Sequence, residues 1–324
     1  MRALTTLATI LLTMNVSVTN AGIYVTGSIS NDTSWTSGVY VLDGTVSVAT
    51  GATLTISPGV TVLTKDFASN LLVAGNLIAE GTETQRITFS SLNQALPGDY
   101  SSWNAIRLSD SNGSKMEYVT IESSWFGLSL DGTSTLTIKN NIFLKNLVAI
   151  SDQGGYQPMD VQHNLFVENY SAFAGIRTLN DSHFNYNVFK DNTNVFEYGY
   201  YFGNVDVSLN NFINNELVMK APAVGYGYGT VSMLNNWWGT TDIAAVEDMI
   251  YDRKDLGILQ HIGYSIEGQP IETAGLIITS TVPTPPTASL LGLGLIILIG
   301  TVIKRKAGVR WWAHATRVAW ASQS

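Results

Sequence analysis

The chain reads NIFLKN at 141–146, NLFVEN at 164–169, NVFKDN at 187–192 and NNFINN at 210–215, one six-residue unit set down four times at 23-residue steps. Asn141, Phe143 and Asn146 thus return as Asn164, Phe166 and Asn169, as Asn187, Phe189 and Asn192, and as Asn210, Phe212 and Asn215. NNWWGTT follows, and Asn235, Trp237 and Thr240 read as a fifth copy after 25 residues. Other columns keep the same step: Ile138, Val161, Phe184 and Val207, and again Ile150, Phe173, Phe196 and Met219. A fixed period of this length marks a solenoid, because one row is too short to bury its apolar face and must stack on its neighbours. Around the units, Leu136-x-Ile138, Met159-x-Val161 and Val205-x-Val207 alternate with a period of two, which is strand spacing. No row holds a helix-length stretch of 3.6-residue spacing, and the leucine-rich consensus is absent.

Short strands punctuated by Asn and Gly predict an all-β, single-stranded parallel β-helix with coils of about 23 residues and a strand-to-strand rise of about 4.8 Å. Like residues then lie on like. Phe143, Phe166, Phe189 and Phe212 become an internal aromatic stack. The Asn columns, with Asn141, Asn164, Asn187 and Asn210 in the first, become ladders at the turns, where the amide bonds to the next coil and Asn tolerates left-handed geometry. A ligand-binding stripe is the other reading of those columns.

The flanks carry further signals. Residues 1–21 have Arg2, an apolar run and Thr19-Asn20-Ala21, the pattern of a signal peptide cleaved after Ala21. Residues 22–265 form the β-helix domain, with its regular repeats at 136–240. Residues 92–102, with Pro97-Gly98-Asp99, read as a loop insertion, and IAAVEDMIY at 243–251 as a short helix covering the C-terminal end. A Pro/Thr linker occupies 266–287. An uncharged Leu/Ile/Gly segment at 288–303 then runs into Lys304-Arg305-Lys306, the arrangement of a transmembrane helix with a positive inner end. The tail, 304–324, is basic and rich in Trp; it either lies on the inner membrane face or is an extension without a role.

TVSVATGATLTISPGVTV, GNLIAEGTETQRITFSS, WNAIRL and the closing NNWWGTTD, with Ile250 and Asp252 after it, resemble the coils of bacterial surface proteins with a right-handed parallel β-helix, related in shape to pectate lyases. The likeness covers roughly 39–265 and speaks to fold more than function. The Pro-rich linker, apolar span and basic cluster resemble the PEP-CTERM sorting signal, although Val-Pro-Thr-Pro replaces the usual Val-Pro-Glu-Pro and eighteen residues follow the basic cluster. That resemblance implies export to the bacterial envelope, attachment to the membrane through 288–303 and handling by an exosortase-type enzyme.

Between residues 22 and 287 eleven Lys and Arg face all twenty-five Asp and Glu, a body near −14. Such a surface repels nucleic acid, which needs a basic footprint. Without Cys there is no disulfide, thiolate nucleophile or Cys metal site. Ca²⁺ would suit an exported acidic β-helix, yet neither Ca²⁺-loop motif is present and no other cofactor is implied. Three arrangements are candidates for chemistry. Asp160, His183 and Asp206 fall at one outward position on successive coils, either an acid–base group or a polar column with alternating charge. The carboxylates Asp152, Glu168, Asp191 and Glu197 with Lys145, Lys190, Arg177 and Lys220 supply the residue types of β-helix lyases and glycosidases, or only surface ion pairs. Tyr198, Tyr200 and Tyr201, with Tyr226 and Tyr228 one coil on and Tyr156 earlier, offer flat faces for sugar rings; alternatively they cover the side of the solenoid. The expected function is a non-catalytic structural, adhesive or polysaccharide-binding module whose partner is an exopolysaccharide or cell-surface glycan; the alternative is a polysaccharide lyase or glycosidase.

Overall fold

The computed structural model describes residues 22–273, apart from 94–101, 133–134, 153–157, 177–180, 199–203, 222 and 225–229. The expected signal peptide, linker, apolar span and tail lie outside the described residues, apart from the first part of the linker. Among the described residues no helix is long and apolar enough to cross a membrane.

Among the described residues, twenty-seven short strands wind into a parallel β-helix with three faces. One coil shows the plan. Ile142–Leu144 lies on face I, Val148–Asp152 on face II and Asp160–Gln162 on face III. Faces I and II join into one 17-stranded sheet, because the early strands Ile23–Ile29 and Val39–Val48 bend across both. Face III is a separate ten-stranded sheet. In the regular repeats like pairs with like: Phe143, Phe166, Phe189 and Phe212 stand in one register row, as do Ile138, Val161, Phe184 and Val207.

The expected core follows. Phe143 stacks on Phe166 at 4.9 Å between centroids, Phe166 on Phe189 at 4.9 Å and Phe189 on Phe212 at 5.3 Å. Face II adds Phe173 on Phe196 at 5.2 Å, and face III meets that pair edge-on through Phe184. The rings are fully buried, and their face-to-face repeat is imposed by the spacing of the coils.

The asparagines form two ladders. At the corner from face III to face I, the Oδ1 of Asn164, Asn187 and Asn210 accepts the backbone N–H of Asn141, Asn164 and Asn187, each at 2.9 Å. Their Nδ2 groups donate to Ile138, Val161 and Phe184 carbonyls on the preceding coil. Asn146, Asn169, Asn192 and Asn215 repeat the arrangement at the corner from face I to face II. Each buried amide thus satisfies the backbone groups that a sharp corner withdraws from the sheet.

Two details differ from the sequence reading. The left-handed residue is not the ladder Asn but the one before it: φ is 58° at Asn140, 54° at His163, 57° at Tyr186 and 59° at Leu209, and 54°, 52° and 56° at Lys145, Glu168 and Asp191. The ladder side chain must point inward, so the reversal falls on its neighbour. The fifth copy is also shifted by one residue. Asn236 occupies the ladder, accepting from Asn210 N–H at 2.8 Å, and Trp238 packs tilted against Phe212 at 5.0 Å between centroids. Trp237 instead makes a backbone bridge to Asn211. Register explains it, since Val205 pairs with Val231, so the added residues enter before that strand. The terminal helix is shorter than expected, Ile243–Glu247, because Ile250–Tyr251 joins face II beside Met219 and Lys220. Asp242 caps it, and its Val246 is buried in the core.

Asn187→Ala removes four amide bonds from a fully buried site and strands the Asn164 N–H and Val161 carbonyl; the expected loss is on the order of 3 kcal/mol, read as a fall in the denaturation midpoint. Leu209→Asn, at φ 59°, relieves left-handed strain and is expected to raise the same midpoint by the equivalent of about 1 kcal/mol.

Candidate functional site

Face III turns a flat polar strip outward. Alternation along each strand buries Val161, Phe184 and Val207 and exposes their neighbours. Asp160, His183 and Asp206 then stand in one row across three adjacent strands, as expected, with Gln162, Asn185 and Ser208 in a parallel row. Gln162 Nε2 donates to Asp160 Oδ1 at 2.6 Å. His183 Nδ1 lies 3.6 Å from Asp206 Oδ2. Asp206 Oδ2 also accepts from Ser208 Oγ at 3.1 Å and from Asn185 Nδ2 at 3.2 Å, and Asn185 Nδ2 donates to Ser208 Oγ at 2.8 Å.

The His183 and Asp206 side chains are 57% and 40% exposed. Both stand open to solvent, so the pair is worth under about 1 kcal/mol. The strip does present carboxylate, amide, imidazole and hydroxyl groups in two rows at the strand spacing, on a stiff backbone.

The other carboxylates and bases do not converge. Lys145, Glu168 and Asp191 sit at the left-handed corner between faces I and II, with Lys145 Nζ 3.5 Å from Glu168 and Lys190 Nζ 3.7 Å from Asp191, all exposed or half-buried. Glu197 stands on face II, in register with Lys220, and accepts from Ser171 Oγ at 2.8 Å. Asp152 is buried at the end of a face II strand, opposite Leu130 rather than in the Glu197 row. Arg177 lies outside the described residues. So do Tyr156, Tyr200, Tyr201, Tyr226 and Tyr228 and the side chain of Tyr198. Among the described residues no three His, Asp or Glu side chains come together as a metal-binding group.

Three features escaped the sequence reading. The first is a ridge beside the first ladder. Arg86 lies over the Tyr118 ring at 5.5 Å and donates to the Asn140 carbonyl, and His163 stacks on Tyr186 at 5.2 Å. Burial, reinforced by Lys139, lowers the His163 pKa, so the ring is neutral at pH 7. The signal was present in part: Asn140, His163 and Tyr186 each sit one place before a ladder Asn, whereas Arg86 and Tyr118 precede Ile87 and Val119. The second is a network at the C-terminal end, where Glu247 accepts from Lys254 and Tyr264. The bond from Lys254, then that from Tyr264, holds the Glu247 carboxyl below its usual range, and burial with that bond pushes the Tyr264 hydroxyl up to about 12. The third is Asp252, whose Oδ2 accepts from Ile262 N–H at 2.9 Å and faces His261 Nδ1 at 3.0 Å, while Oδ1 accepts from Lys254 N–H at 2.8 Å. Nothing in the spacing joins Asp252 to residues ten positions away.

Burial raises the Asp252 pKa, but the Ile262 and Lys254 amides and His261 outweigh it and leave the carboxyl below the ordinary value. A depressed carboxyl stabilises above the unfolded value, about 3.9, and the contribution is lost as pH falls through the folded value. Hydrogen exchange at Ile250 and Ile262 is therefore expected to accelerate, beyond its intrinsic pH dependence, below about pH 4; Asp252→Asn loosens the cap already at pH 7 and removes that acid step.

Residues 14–193, more than half of the chain, match the family model described as the right handed beta helix region. No curated protein and no solved structure matches the chain.

Proposed function

Since the chain belongs to the right-handed β-helix family, we propose that it is a non-catalytic, exported scaffold that binds an acidic-tolerant or neutral polysaccharide along face III. The in-register strip of Asp160, His183 and Asp206 with Gln162, Asn185 and Ser208 supports this reading. A solenoid repeats its outer groups at about 4.8 Å, so an extended glycan meets several of them at once, and weak contacts add along its length. The Tyr-bearing stretches at 199–203 and 225–229 precede the face III strands Val205–Ser208 and Val231–Asn236 in the sequence. The two ladders and the Phe stack give the stiffness a spacer or adhesive surface needs.

The apparent signal at 1–21 supports export, and the apolar span at 288–303 with its basic end supports attachment at the envelope and exosortase-type processing. The acidic body favours neutral glycans over strongly anionic ones, which it repels.

A glycan array with the purified chain tests the proposal. Binding is expected to neutral polysaccharides. Asn185→Ala with Asp206→Ala, both on the exposed strip, is expected to weaken it about tenfold, the equivalent of roughly 1.4 kcal/mol, while leaving the denaturation midpoint unchanged. Tyr200→Ala reports separately on the aromatic segments. Release of unsaturated uronides, or of reducing ends, would replace the scaffold reading with the lyase or glycosidase.

A further inference from the structure

The two ends of the β-helix are finished differently. At the C-terminal end the helix Ile243–Glu247 carries Val246 into the core, and Asp242, Asp248 and Lys254 stand exposed there. At the N-terminal end the first coil is bare strand. Ile23–Ile29 is bonded on one side, to Val39–Val48, and Thr33–Trp35 on one side, to Thr53–Ile56; among the described residues nothing pairs with their outer edges. Such an edge is a template for another strand unless charge, Pro or a cover blunts it. Residues 22–31, GIYVTGSISN, hold no charge and no Pro. The first charge, Asp32, is turned back into the fold, its Oδ1 accepting from Thr53 N–H at 2.9 Å. Ile23 and Tyr24 are 52% and 60% exposed.

The edge is also self-complementary. Ile23–Val25 lies along face I against Tyr40–Leu42, and Gly27–Ile29 lies along face II against Val46–Val48. Two equal arms therefore flank Thr26 at the corner, where Gly27, at φ 80°, makes the bend. The face III arm, Thr33–Trp35, is centred on Ser34. A two-fold axis drawn through Thr26 and Ser34, across the three-sided end, exchanges the two equal arms and reverses the strand direction. A second copy brought in on that axis sets Thr26 against Thr26, Val25 against Gly27, Tyr24 against Ser28 and Ile23 against Ile29, all antiparallel, with Ser34 against Ser34 on the third face. A head-to-tail stack has no such fit, because the other end presents a helix in place of a strand edge.

We propose that two copies of this chain join first coil to first coil, through antiparallel pairing of Ile23–Ile29 and of Thr33–Trp35 with their own counterparts. The pairing makes on the order of ten backbone hydrogen bonds, the number found in a standard protein interface. Val25 and Ile29, which pack against the core from its end and are only partly buried, are covered by the partner's first coil. Removing them from water, together with Ile23 and Tyr24, adds the apolar driving force. The contact is isologous, so assembly closes at two copies and does not run on into a filament.

The chain has no Cys, so one introduced thiol reports only on its own copy across the axis. In the full-length chain, Thr26→Cys is expected to oxidise to a disulfide-linked dimer at least about tenfold faster than Thr137→Cys on face III. Pairing holds the two Thr26 positions at the antiparallel cross-strand distance, about 5 Å between Cα atoms, which a disulfide spans. Charge gives a second readout that needs no thiol. In detergent solution, Thr26→Lys and Thr26→Asp chains are each expected to sediment as monomers, and an equimolar mixture of the two as dimers. Thr26 is exposed, so these changes leave the coil itself folded. Equal oxidation rates for the two cysteine variants, dimers of Thr26→Lys alone, or a mixture that stays monomeric would overturn the pairing. So would monomers of the parent chain, the result expected if residues 1–21 of the same chain held the edge.

Discussion

A buried side-chain amide that stands in for backbone sets the terms of this fold. A β-helix must turn three times per coil, and each turn takes N–H and C=O groups out of the ladders of the sheet. In the regular repeats two of the corners solve this with Asn, whose Oδ1 accepts from the preceding coil's Asn N–H and whose Nδ2 donates to a carbonyl of the preceding coil. The geometry admits one register only. A slip by one residue would put the amide outside and the αL neighbour inside, leaving several buried polar groups unpaired. The Phe stack follows from that register, since a residue two places after each ladder Asn must point inward at every coil.

This constraint explains where the sequence was readable. Ladder, stack and columns were legible because an interaction between coil n and coil n+1 forces like residues to recur at one step. The same logic accounts for the misplacement of the last copy. NNWW contains two Asn and two Trp, and counting from the previous unit cannot choose between them; the amide of Asn236, reaching the Val207 carbonyl at 2.7 Å, does choose. The αL column was within reach too, since Asn140 and Asn235 share it, but His163, Tyr186 and Leu209 disguise it. Strain at those positions is tolerated because the ladder on the next residue over-determines the corner.

The site was less legible for a physical reason. An outward residue makes no demand on its neighbour in the next coil, so no period betrays it. The Asp160, His183 and Asp206 row was found from spacing alone, and the structure brings it together on a solvent-exposed face. The second row, Gln162, Asn185 and Ser208, was not singled out, though its bonds to the first make the strip a surface rather than a line. The C-terminal cap lies further from reach. Its closure depends on Asp252 and Ile262, brought together by a loop whose length follows no repeat.

Ends and flanks decide what a solenoid of this kind can do, because its interior is spent on holding coils together. One outer face is polar and open. Another is apolar and already closed to solvent at Leu165 and Val167. The difference between Asn211 and its row-mates Ile142, Leu165 and Val188 shows how little the repeat must change to acquire a new role. Three of them offer apolar surface, while the fourth keeps the position and exchanges that surface for a donor and an acceptor, and the departing chain at Ile271 uses both. A single side chain at the last regular coil therefore marks where self-similar stacking stops and the non-repeating part of the chain takes hold.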